Sequence, residues 1–169
     1  MERIALEVGG TRREYLLFVP RNQGVTSPAR VPLVVFLHGT GATAEWADEE
    51  TGWSRLAARE GFALALPQAL PPNPDHPPKF LTNPPRWQDV GGTEDVTFLA
   101  AALSDAARRA GTDPSLVFVC GFSNGAGMAF RVATELAERV AAVAPVAGHC
   151  RLPNPRPARP VPTLYVVGS

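Results

Sequence analysis

The stretch from Leu116 to Arg131, LVFVCGFSNGAGMAFR, constrains this chain more than any other. Leu116–Cys120 is an apolar run of strand length, Gly121–Gly125 is a turn, and the small residues Ala126, Gly127, Met128 and Ala129 open a helix. The turn reads G-F-S-N-G and matches the G-x-S-x-G nucleophile elbow. A serine held in a strained strand-to-helix turn presents its hydroxyl at the edge of a sheet. Gly121 and Gly125 let the strand and the helix approach closely enough to hold it there. The helix N-terminus adds a positive dipole end where an oxyanion would form. Ser123 is therefore the candidate nucleophile.

The rest of the chain supplies a sheet for that turn. Ile4–Val8 and Glu14–Val19 read as a hairpin around Gly9-Gly10. Arg21–Arg30 reads as a polar loop. Val31–Leu37 is a continuous apolar run, as in a parallel strand buried on both faces. It ends in His38-Gly39-Thr40-Gly41. Glu45–Glu60 has helical periodicity, with Gly61 as its stop. Phe62–Leu66 is a further strand. Pro67–Pro85 holds eight of the chain's 18 prolines, so it is neither helix nor central strand, and a loop of that length shapes a substrate cleft or a rigid surface. Thr93–Ala110 reads as a helix with Thr93 as N-cap and Glu94 and Asp95 in the first turn. The elbow helix is expected to run to about Arg139, followed by a strand at Ala141–Ala147, a second proline-rich connection at Arg151–Pro162 and a last apolar run at Thr163–Val167. Strands alternate with helices from Val31 onward. The fold class is α/β, with a mostly parallel sheet after an N-terminal antiparallel hairpin.

Composition narrows the function classes. Sixteen basic and 16 acidic residues give a formal net charge of zero, which argues against a nucleic-acid or membrane-surface partner. No apolar run has transmembrane length. The N-terminus lacks a basic-then-apolar leader, so the chain reads as cytoplasmic as given and as secreted if a leader precedes Met1. Cys120 and Cys150 make no disulfide framework. His38, His76 and His149 are spread out, without Asp, Glu or Cys at ligand spacing, so no metal is expected, and nucleophilic catalysis by a serine needs no cofactor. There is no phosphate loop.

Acyl-transfer chemistry needs two backbone N–H groups around the nucleophile's oxyanion. One is expected from Asn124 and the other from the loop at HGTG, where Thr40 is the first choice and Gly41 the alternative. Trp46 and Trp87, with Phe80, are candidates for an apolar substrate wall, against simple packing roles. His38 is expected to support its loop, His76 to be exposed, and His149 to lie on the active face. Asp95 is expected to serve the helix dipole, and Asp89 to be structural.

The succession YLLFVP, PLVVFLHGTGAT, RWQD, EDVTFL, DPSLVFVCGFSNGAGMA, AVAPVAG and VPTLYVVGS resembles α/β-hydrolases of the poly(3-hydroxybutyrate) depolymerase and feruloyl-esterase type over nearly the whole chain. The resemblance implies carboxylic-ester hydrolysis through an acyl-enzyme, on a small or polymeric ester, with triad order serine, acid, histidine. In that order the acid and the histidine follow the strand resembling VPTLYVVGS, so neither maps onto a residue present. Residues 1–169 then read as one α/β-hydrolase domain lacking its last strand and helix. The alternatives are a catalytically incomplete fragment or pseudoenzyme of that fold, or another serine hydrolase such as a thioesterase, lipase or peptidase.

Overall fold

The hairpin forms around two glycines with positive φ, Gly9 at 57° and Gly10 at 77°. That geometry suits the tight turns whose twist matches paired strands. It joins β1 (Glu2–Val8) to β2 (Thr11–Phe18), in register from Glu2 against Leu17 to Val8 against Thr11. The computed structural model describes residues 1–20, 31–82 and 95–168. The loop expected at Arg21–Arg30, the last part of the proline-rich stretch, Trp87, Asp89, Thr93 and Glu94 lie outside the described residues.

The described strands continue with β3 (Val31–Leu37), β4 (Ala63–Pro67), β5 (Thr112–Phe122) and β6 (Ala142–Val146). They make one six-stranded sheet in the order β1-β2-β4-β3-β5-β6. The β4, β3, β5 and β6 strands are parallel neighbours, and β2 joins β4 antiparallel. Residues 163 and 166 add two isolated parallel bridges to β6, rather than the continuous run expected there.

Strand alternation separates two cores. Leu33, Val35 and Leu37 face the helices α3 (Asp95–Ala110) and α4 (Asn124–Glu135), where Phe98, Leu99, Met128 and Val132 are buried. Leu16, Phe36, Leu64 and Leu66 face the other way, toward Ala44, Ala47 and Ala57 of α1 (Ala44–Thr51) and α2 (Trp53–Glu60). Both faces of the parallel strands are thus covered, which is why they read as unbroken apolar runs.

One helix was expected over Glu45–Glu60, and two are found. Gly52 sits at φ 68°, ψ 24°, and its N–H closes α1 onto the Asp48 carbonyl. The Asp48 carboxylate then accepts from the Ser54 N–H and hydroxyl, each at 2.7 Å, and so starts α2. The apolar pattern continues on both sides of the glycine, which hides the break. The elbow helix also ends earlier than expected, at Glu135, and a 3-10 turn over Ala137–Arg139 follows. No described helix is long and apolar enough to cross a membrane.

Candidate active site

The β5 strand runs directly into the turn at Ser123. Ser123 has φ 55° and ψ −111°, outside the basins that L-residues favour. Its N–H donates to the Val146 carbonyl at 2.9 Å, and its carbonyl accepts from the Ala126 and Gly127 N–H groups at 3.1 and 3.2 Å. The turn is therefore tied both to the end of β6 and to the first turn of α4. The neighbouring glycines are required by contact. A Cβ on Gly121 would run into the Gly125 backbone, and one on Gly125 into the Leu37 carbonyl. A Cβ on Gly148 would strike the Ser123 carbonyl oxygen and Ala126. Reading the sequence singled out the first two glycines and missed Gly148. Its signal was AVAPVAG, a strand ending in glycine.

Ser123 opens onto a cleft of about 380 Å3. Thr40, Lys79, Phe80, Thr82, Asn124, Ala147, Gly148, His149 and Arg151 share it. Thr40 and Asn124 thus lie in one cleft with Ser123. The Gly41 N–H is engaged by the Pro78 carbonyl at 2.8 Å, whereas the Thr40 and Asn124 amides meet no acceptor among the described residues. The Ser123 hydroxyl likewise has no hydrogen-bond partner among them.

Trp46 does not line this cleft. Thr43 caps α1 by accepting the Trp46 N–H, which turns Ala44 and Ala47 inward and leaves Trp46 46% exposed on the outer surface. Trp87, the other wall candidate, is outside the described residues. Phe80 does reach the cleft, with its ring 5.0 Å from that of His38.

The three histidines separate clearly. His38 is buried, and both ring nitrogens are engaged. The Ala69 N–H can only donate, so Nε2 is the acceptor at 3.1 Å and Nδ1–H donates to the Gly39 carbonyl at 2.8 Å. Burial holds its pKa below the ordinary imidazole range, despite the Gly39 carbonyl. His38 is a neutral brace for its loop. His76 is exposed and bonds Asn73. His149 is exposed at the cleft.

Asp95 begins α3 but does more than face the helix dipole. It is 2% exposed, and its carboxylate accepts from Arg13 Nη2 at 2.5 Å and from the Leu81 N–H at 2.6 Å. Arg131, equally buried, donates from Nη1 to the Leu81 carbonyl at 2.5 Å and from Nε to Glu135 at 2.5 Å. Arg13 also lies 4.0 Å from the centre of the Phe98 ring. Reading the sequence overlooked Arg13 and Arg131. The available signal was Arg13 on the same alternation as inward Tyr15 and Leu17, since a charge on a core face needs a partner. Both cysteines are free, and burial raises the Cys120 thiol to about 12. Among the described residues no three His, Cys, Asp or Glu side chains cluster as metal ligands.

The family model for esterase PHB depolymerase matches residues 13–151. The chain belongs to that family. The match runs from Arg13 of the buried ion pair to Arg151 of the cleft, so it takes in every cleft-lining residue named above. NocK of Nocardia uniformis subsp. tsuyamanensis is 33% identical, across 96% of this chain and 46% of NocK. Poly(3-hydroxyalkanoate) depolymerase C of Paucimonas lemoignei is 33% identical, across 72% of this chain and 28% of that protein. The chain spans less than half the length of these curated relatives. An acetyl xylan esterase from Aspergillus awamori superposes with a TM-score of 0.70 at 21% identity, over 89% of this chain and 53% of that one. That likeness establishes the α/β-hydrolase type of fold, as the sheet order and the strand-turn-helix at Ser123 do independently.

Proposed function

We propose that these residues carry the nucleophile and the oxyanion donors of a serine carboxylic-ester hydrolase. The observation that carries this reading is the strained turn at Ser123, opening on a cleft that also holds two backbone amides without acceptors among the described residues. Ser123 Oγ adds to the ester carbonyl carbon while its proton passes to a general base. The carbonyl π pair moves onto oxygen, and the Thr40 and Asn124 amides receive that charge. Collapse of the adduct breaks the bond to the alcohol, which leaves with the proton from the base. Water then repeats the sequence on the acyl-Ser123 ester and releases the acid. The base in this reading is the histidine that the family order sets after residues 163–167, oriented by the acid that precedes it.

The lining favours short acyl groups. Thr40, Lys79, Thr82, Asn124, His149 and Arg151 bring polar groups to the cleft, and among the described residues only Phe80 and Ala147 bring apolar side chains. A long alkyl chain would find little surface to cover there. The natural ester in this reading is a short acyl group on a small or polymeric alcohol, consistent with a family that includes a poly(3-hydroxyalkanoate) depolymerase.

The test is kinetic. In the full-length protein, Ser123→Ala should lower kcat for p-nitrophenyl acetate by about 10⁴- to 10⁶-fold, and the unaltered protein should prefer the acetate to the octanoate. Turnover by Ser123→Ala within ten-fold of the parent would overturn the assignment.

A further inference from the structure

The segment Pro78–Thr82 contributes Lys79, Phe80 and Thr82 to the cleft lining. Its Lys79 N–H donates to the Leu70 carbonyl at 3.2 Å, and the backbone of Phe80 and Leu81 is fastened by side chains. Asn124 bonds Phe80 in both directions. The Phe80 N–H donates to Oδ1 at 2.7 Å, and Nδ2 donates to the Phe80 carbonyl at 3.1 Å. The Leu81 N–H and carbonyl are taken by Asp95 and Arg131. Two consecutive residues thus have all four backbone polar groups satisfied by three side chains. At its start, the same segment accepts the Gly41 N–H on the Pro78 carbonyl. It therefore connects the two loops that line the cleft with Ser123: the Gly39–Gly41 loop through Pro78 and the elbow through Asn124.

We propose that the Asn124 side chain is a positioning residue for the oxyanion site. By locking Phe80 against the first turn of α4, it holds the Pro78 carbonyl on Gly41 and so orients the Thr40 amide toward Ser123. This inference rests on the serine-esterase reading above. Asparagine suits the task chemically. A single short side chain must present an acceptor to Phe80 N–H and a donor to Phe80 C=O, and a carboxylate can do only the first. Its own backbone amide is untouched by side-chain replacement, so the two contributions of residue 124 are separable.

Asn124→Ala in the full-length protein should lower kcat for p-nitrophenyl acetate on the order of 10²-fold, as expected for a misplaced catalytic group, with KM within about three-fold of the parent. Asn124→Asp is close to isosteric and keeps one of the two bonds. Its kcat, as a ratio to the parent at each pH, should be low at neutral pH. The ratio should rise as pH falls through the titration of the introduced carboxyl group, because the protonated acid can again donate to Phe80. An alanine variant with parental kcat, or an aspartate variant whose ratio stays flat with pH, overturns the proposal. If Asn124→Ala does not fold, the aspartate profile alone decides it. Ser123→Ala separates the two levels. Activity surviving in that variant defeats the esterase reading, whereas an inactive Ser123→Ala beside a fully active Asn124→Ala defeats only the positioning role.

Discussion

Ser123 and His38 show how single residues are committed to this site. Ser123 occupies a conformation that costs an L-residue on the order of 1–3 kcal/mol, and the bonds from Val146, Ala126 and Gly127 hold it there. His38 works as a neutral group because Ala69 demands an acceptor and burial disfavours the imidazolium. The consequence for stability has a definite sign. The folded-state pKa of His38 lies below the unfolded value of about 6.5, so the unfolded chain takes up a proton that the folded chain refuses. The stability owed to neutral His38 is complete above about pH 6.5 and declines as pH falls below it. Urea unfolding of the full-length protein at pH 7.5 and 5.5 should show a loss on acidification that shrinks in His38→Gln. An equal loss in both proteins would contradict a His38 that stays neutral in the fold. At this scale much was legible: glycines around Ser123, and a histidine bracing the loop after β3. Trp46 was not, because the cap at Thr43, rather than the residue's own character, sets which way it points.

At the scale of elements, the junction of β2, α3 and α4 depends on Arg13, Asp95 and Arg131. Arg13 and Asp95 are each 2% exposed and bonded at 2.5 Å. Removing one partner leaves a buried charge without its counterion, at about 3–5 kcal/mol. Asp95→Ala should therefore lower the unfolding free energy by that amount and also release the Leu81 N–H, while Arg3→Ala, which breaks the surface pairs with Glu14 and Glu45, should cost far less. Denaturant titration of the two variants compares them directly. The alternation with Tyr15 and Leu17 marks Arg13 as inward, but its partners were not legible, because residues 13, 81, 95 and 131 meet only through the fold. The break at Gly52 was missed for a different reason: Trp53, Leu56 and Ala57 continue the helical spacing of α1 without a gap. The strand type was legible for β3, β4, β5 and β6, since buried parallel strands admit few polar residues.

Over the whole molecule, the sheet order brings the C-terminal ends of β3, β5 and β6 side by side, and the described cleft lies across them. Ligands in open α/β sheets bind beyond those ends. Helices cover both faces of the sheet beneath the cleft, and the Ser123 turn is tied by backbone bonds to β6 and α4. The most direct measurement is to react the full-length protein with a fluorophosphonate and map the adduct by peptide mass spectrometry. One phosphonylated residue is expected, Ser123, with hydrolysis lost in proportion to labelling. An unlabelled Ser123 in a protein that still hydrolyses p-nitrophenyl acetate, or a stoichiometric adduct on another serine, would contradict it.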